Sequence, residues 1–188
     1  MNALETVNSF MTAAAKRDYD TAVALLTDDV EYQNMPLAPV TGHDAVKETL
    51  EMLLGMCSES EWIVHREVVD GDTVMNERTD RFLVDGRWLE LPVAGVFVVR
   101  DGRIALWRDY FDLDTIMNLL CARTQELTGA CGAAVLLRAD DDHLRYAAGT
   151  GSCEARVGDT LPIRGSAAGS MFLQENAMVG ELADGCGL

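Results

Sequence analysis

The feature that most constrains this chain is a series of three Asp-Gly pairs at near-even spacing: Asp70-Gly71, Asp85-Gly86 and Asp101-Gly102. Asp-Gly between extended segments supplies the positive-φ residues of a two-residue hairpin turn. The segments they bound, 61–70, 73–84, 87–99 and 103–111, are rich in β-branched and aromatic residues. They predict a four-strand antiparallel meander.

What precedes the meander reads as mostly helical. Leu4, Val7, Phe10, Met11 and Ala14 recur at helical spacing over 3–16, and Asp18 can cap a second short helix through Leu26. Val30, Tyr32 and Asn34 alternate on a short strand that Pro36 ends. After Gly42, Val46, Leu50, Leu53 and Leu54 form the apolar stripe of a helix stopped near Gly55. A further helix starts near Asp112 and Asp114 and runs through Ile116, Leu119 and Leu120 to Thr128. Helices laid on a bent antiparallel sheet make an α+β plan with room for a deep pocket between the layers. Residues 133–148 read as a hairpin with an acidic turn, and small residues dominate beyond Gly149.

Charge and composition exclude several partners. A net charge of −16 repels phosphate backbones, which argues against nucleic acid. There is no apolar run of the length a membrane span needs. The N-terminus lacks a secretory h-region, so a cytoplasmic protein is expected. The five cysteines (57, 121, 131, 153 and 186) form no CxxC and no zinc spacing, and are expected to be reduced. No metal ligand set is evident.

The polar residues of the meander are the unusual part. In VMNERTDRF, alternation puts Asn76, Arg78, Asp80 and Phe82 on one face and Met75, Glu77, Thr79 and Arg81 on the other. Both faces carry charge, although one must turn inward. In the last strand Asp109 shares a face with Trp107 and Phe111, and an ionised carboxylate there is costly unless paired. The plain alternative is a twisted sheet with surface charges and an exposed Arg78–Asp80 pair of little consequence.

Three segments shift that balance. LTDDVEYQNMPLAPVTGHDAV, NERTDRF and GVFVVRDGRIALWRDYFDL resemble, in order and separation, those of the limonene-1,2-epoxide hydrolases, members of the SnoaL-like/NTF2-like superfamily. The resemblance covers residues 1–122. It implies a cone of curved antiparallel or mixed sheet, helices closing a buried pocket, and cofactor-free addition of water to a hydrophobic epoxide to give a vicinal diol. It further implies Asp109 as general base, Asp80 as general acid, Arg78 between them, and Tyr32 and Asn34 holding the attacking water. Phe82, Leu91, Val93 and Phe111 match the apolar pocket wall. Trp107 is expected to be a packing anchor, and neither His43 nor His65 a catalytic group. The family also implies a homodimer.

Opening an epoxide needs a nucleophile at carbon and a proton for the departing oxygen, so two carboxylates in opposite protonation states suit it. Two other readings stay open. A SnoaL-like isomerase or cyclase would use a buried acid without an arginine bridging two carboxylates. A non-catalytic regulator would use the pocket to sense a ligand. Residues 116–172, through LTGA and IRGSAAGS, resemble the opening half of a GAF domain, which makes 123–188 a partial GAF-like extension.

Overall fold

All three Asp-Gly sites fall between paired strands in a computed structural model of the chain, which describes residues 1–174 except 56 and 85. In chain order the first part comprises α1 (Ala3–Ala15), α2 (Tyr19–Ala24), β1 (Leu26–Met35), β2 (Val40–Thr41), α3 (His43–Leu54), β3 (Glu59–Asp70), β4 (Thr73–Val84), β5 (Arg87–Arg100) and β6 (Arg103–Phe111). At the third site Asp101 and Gly102 have φ of 53° and 76°, the pair of left-handed residues a type I′ turn demands. At the first, Asp70 pairs with Thr73, so the two-residue loop is Gly71-Asp72, one position later than the motif suggests. At the second, Gly86 has φ 77° and Asp85 lies outside the described residues.

The meander is one side of a six-stranded sheet ordered β2-β1-β6-β5-β4-β3. β1 runs parallel to β6 and makes the sheet mixed. It starts at Leu26, where the sequence reading still had helix, because α2 ends at Ala24. Register breaks between Leu26 and Glu31, Val64 and Arg66, and Val98 and Val99 interrupt the ladders, as bulges that bend a sheet do.

One face of this sheet is covered by helices. α1 begins with a capping box: Asn2 Oδ1 accepts from the Glu5 amide at 2.9 Å, and Glu5 Oε2 accepts from the Asn2 amide at 3.0 Å. Its Val7, Phe10, Met11 and Ala14 join Val30, Val74, Phe97, Ile104 and Trp107 in the core. α3 adds Val46, Leu50 and Leu54. Trp107 anchors that core as expected: it is 1% exposed, stacks on Tyr32 at 3.7 Å between centroids, and meets Phe10 edge-on at 5.0 Å.

The compact unit built this way is Met1–Asp112, and a second begins at Leu113. The second contains α4 (Leu113–Thr128), β7 (Gly132–Arg138), β8 (His143–Gly151), β9 (Thr160–Pro162) and α5 (Ala167–Gln174), with the strands in one antiparallel sheet. α4 buries Met117 and Cys121 against Ala133, Val135 and Ala148. Its apolar face thus belongs with the hairpin that follows, which is why the unit boundary falls earlier than residue 122. Cys57 and Cys121 are buried free thiols and Cys153 is free and half-buried. Cys131 is exposed and disulfide-bonded, against the expectation of uniformly reduced thiols; Cys186 lies outside the described residues.

Candidate active site

Strand parity separates two kinds of charge. On the outer face of β4, Arg81 pairs with Glu61 and Glu90 at 2.6 and 3.1 Å, and Glu77 pairs with Arg66. These are surface charges of the kind the plain reading expected, but the Arg78–Asp80 pair it took as exposed is not among them. Asn76, Arg78 and Asp80 point the other way and are buried, at 5%, 1% and 5% exposed.

Sheet register then gathers the inner-face residues. Asn76 lies opposite Gly95, Gly95 opposite Asp109, and Asp109 beside Asn34, a single row across β4, β5, β6 and β1. The neighbouring row carries Arg78, Val93 and Phe111, and the next pairs Asp80 with Leu91. Residues far apart in sequence therefore converge because each strand contributes one side chain per row.

Arg78 is the centre. Its Nε donates to Asp80 Oδ1 at 2.8 Å and its Nη2 to Asp80 Oδ2 at 3.1 Å, a two-point contact. The same Nη2 donates to Asp109 Oδ2 at 2.6 Å, so one nitrogen touches both carboxylates. The Arg78 side chain is 0% exposed, and those of Asp80 and Asp109 are 8% and 6%. Asp109 Oδ1 is buried and accepts no hydrogen bond from a described protein group. Beside it, Asn34 Nδ2 donates to Tyr32 Oη at 2.6 Å, which leaves the phenolic hydrogen and the Asn34 carbonyl for a third partner.

Burial pushes the Asp80 carboxyl up to about 6, against the opposing pull of the Arg78 charge and its hydrogen bonds. Burial works against the Arg78 charge as well, but Asp109 and Asp80 outweigh it and hold the guanidinium proton more tightly than usual. Burial, and then the charge of Asp109, raise the Tyr32 phenol and keep it a donor. The cluster carries two acids around one permanent cation, and Asp80 is the acid whose burial favours keeping its proton.

Each residue assigned to the site from the sequence is on this inner side. Leu91 and Val93 are buried at 7% and 4%, while Phe82, Phe111 and Asn34 are half-buried. His43 contacts the Leu26 carbonyl and His65 the Thr79 hydroxyl, both away from the carboxylates. Asn76 was placed on the right face but given no role. Gly95, Met11 and Trp62, all close to Arg78 or its partners, were missed. Gly95 carried a signal, because a glycine inside a strand marks a close approach. No group of three or more His, Cys, Asp or Glu side chains among the described residues is arranged to hold a metal. No helix among them is long and apolar enough to cross a membrane.

Comparison with known proteins bears directly on this cluster. The family model for the limonene-1,2-epoxide hydrolase catalytic domain matches residues 1–122. The chain belongs to the limonene-1,2-epoxide hydrolase family. Epoxide hydrolase EphG of Mycobacterium tuberculosis is 38% identical over 115 residues, which span 61% of this chain and 76% of that protein. A solved LEH-like epoxide hydrolase of M. tuberculosis shares 35% identity at a TM-score of 0.56, covering 68% of this chain and 96% of its own. A protein assigned as a SnoaL-like polyketide cyclase, from Shewanella putrefaciens CN-32, aligns at a TM-score of 0.58 with 16% identity over 63% of this chain and 95% of its own. That likeness is one of fold alone, the SnoaL-like and NTF2-like fold. Membership in the limonene-1,2-epoxide hydrolase family makes the chain an epoxide hydrolase of that type.

Proposed function

We propose that the chain adds water to a hydrophobic, cyclic or terpene-like epoxide in one step, with Asp109 as general base and Asp80 as general acid. Asp109 Oδ1 takes a proton from water as the water oxygen bonds to an epoxide carbon. The carbon–oxygen bond of the ring breaks, and Asp80 gives its proton to the departing oxygen, so that epoxide plus water becomes a vicinal diol. Arg78 keeps its charge throughout, fixes the separation of the two acids and donates to Asp109. Tyr32 and Asn34 hold the water, and that loss of freedom before attack is part of the rate gain. Phe82, Leu91, Val93 and Phe111 form the apolar wall.

The observation that carries this reading is the Arg78 Nη2 that touches Asp80 and Asp109 together, with one buried Asp109 oxygen left without a donor among the described residues. A SnoaL-like isomerase or cyclase needs one buried acid and gives that bridge no purpose. The test is a single turnover of cyclohexene oxide or limonene oxide in heavy-oxygen water, with enzyme in excess. Label in the first diol formed supports direct attack by water. Unlabelled first-turnover diol would mean an ester intermediate on the enzyme, and no diol from any small epoxide would sink the substrate class.

The protein is further proposed to be cytoplasmic and, as its family resemblance implies, a homodimer, and native mass spectrometry of the full chain checks the stoichiometry. The segment 123–188 is proposed as a partial GAF-like extension, on the strength of LTGA, the acidic hairpin and IRGSAAGS. Its removal is expected to leave hydrolysis by residues 1–122 measurable.

A further inference from the structure

Asn76 shares the inner face of β4 with Arg78 and Asp80 and is 5% exposed, yet hydrolysis as described gives it nothing to do. Its amide is held at both ends. Oδ1 accepts from Arg78 Nη1 at 3.2 Å, and Nδ2 donates to Met11 Sδ on α1 at 3.1 Å. A guanidinium can only donate, so the amide oxygen must face it, and the weakly accepting thioether takes the amide hydrogen. Across the strand pair stands Gly95. A Cβ there would lie 2.4 Å from Arg78 Nη1, 2.7 Å from Asn76 Oδ1 and 2.9 Å from Phe97 Cε2. The Nη1···Oδ1 hydrogen bond therefore runs through space that any other residue at 95 would fill. Trp62 closes another side, its ring centroid 5.3 Å from Arg78 Cζ.

We infer that Asn76 is a positioning residue for the hydrolase reaction: anchored by Met11 and admitted by Gly95, it sets the plane of the Arg78 guanidinium so that Nη2 reaches Asp109. Nε and Nη2 grip Asp80, but that grip alone lets the planar group pivot about Asp80. Because the same Nη2 serves both carboxylates, a pivot that draws it toward Asp80 would stretch its 2.6 Å contact to Asp109. The bond from Nη1 to Asn76 is the third point that stops it. This inference rests on the acid–base reading of the same cluster.

The test uses the full chain with Asn76→Leu, which keeps volume and removes the acceptor, and Gly95→Ala, which crowds the same bond from the other strand. Asp109→Asn runs alongside. Each of the first two is expected to lower kcat for cyclohexene oxide about ten- to a hundredfold, the value of one hydrogen bond to a charged group, with KM within about twofold. The charged or titratable groups facing Asp109 are Arg78, Asp80 and Tyr32. A loss that falls on kcat and leaves KM in place separates a displaced guanidinium from a general loss of packing, which would move both. Because both substitutions act on one bond, the double variant should be no slower than the slower single.

Wild-type kcat in Asn76→Leu would overturn the inference, as would a loss carried by KM or losses that multiply in the double variant. Should Asn76→Leu fail to fold, Asn76→Ser withdraws the amide with less apolar bulk and carries the same expectation. If Asp109→Asn itself hydrolyses epoxide at a near-normal rate, the acid–base reading has failed. If Asp109→Asn is inactive and Asn76→Leu is normal, only the role of Asn76 has.

Discussion

Replacing Arg78 by methionine should make the stability of the first unit steeply dependent on pH, and the structure says in which direction. Burial holds Asp80 at about 6 against an ordinary value of 3.8. A carboxyl raised by folding stabilises the fold below its unfolded value and loses that contribution as pH rises through the folded one. In the wild type the gap corresponds to about 3 kcal/mol, given up between about pH 4 and pH 7. Arg78 limits further damage, because its side chain is 0% exposed and donates to Asp80 twice and to Asp109 once. Arg78→Met leaves two buried carboxylates without a cation, which costs about 3–5 kcal/mol when both are ionised. At about pH 5 Asp80 is protonated and the loss should shrink to well under that. Urea unfolding of wild type and variant at about pH 5 and about pH 8, compared at constant m-value, reads the difference. Equal losses at the two pH values, or a loss below about 1 kcal/mol at the higher one, would refute the buried-bridge energetics.

Asp109→Asn should cut turnover by about 10²–10⁴-fold with the far-ultraviolet dichroism unchanged; a near-normal rate would remove Asp109 as the base. Because Asp80 must carry a proton to serve as acid, kcat/KM should fall as pH rises through about 6. A flat profile across that range would count against the assignment. Tyr32→Phe removes the oxygen that accepts from Asn34, and kcat should drop by up to about tenfold while KM for the epoxide holds steady. A change confined to KM would place Tyr32 against the substrate rather than the water.

The meander was legible because each of its turns has a local chemical cause. Asp101 and Gly102 adopt positive φ, and the strand limits around all three turns fall within two residues of those read from the sequence. The division of β4 into two faces was legible from alternation alone. What alternation could not tell was which charged face turned inward, since Glu77 and Arg81 look as polar as Arg78 and Asp80. The parallel pairing of β1 with β6 was hidden, because no turn motif announces a contact between distant segments. Gly95 and Met11 escaped for a related reason. Their importance lies in the space one leaves and the sulfur the other presents to Arg78 and Asn76; a glycine within a strand signals a close approach, but which side chains make use of it is not written at either position.

That parallel pairing also orders events in time. The three hairpins of the meander close through two-residue loops and can form from neighbouring chain, whereas Glu31 meets Arg108 across a separation of 77 residues. Closing so long a stretch is the slow, entropy-limited step of building such a sheet. Tyr32 and Asn34 ride on β1, and the two carboxylates on strands of the meander, so the parts that hold water and the parts that move protons belong to different folding neighbourhoods. A refolding chain should regain strand signal before it regains hydrolysis, and the delay between the two measures the docking of a single strand.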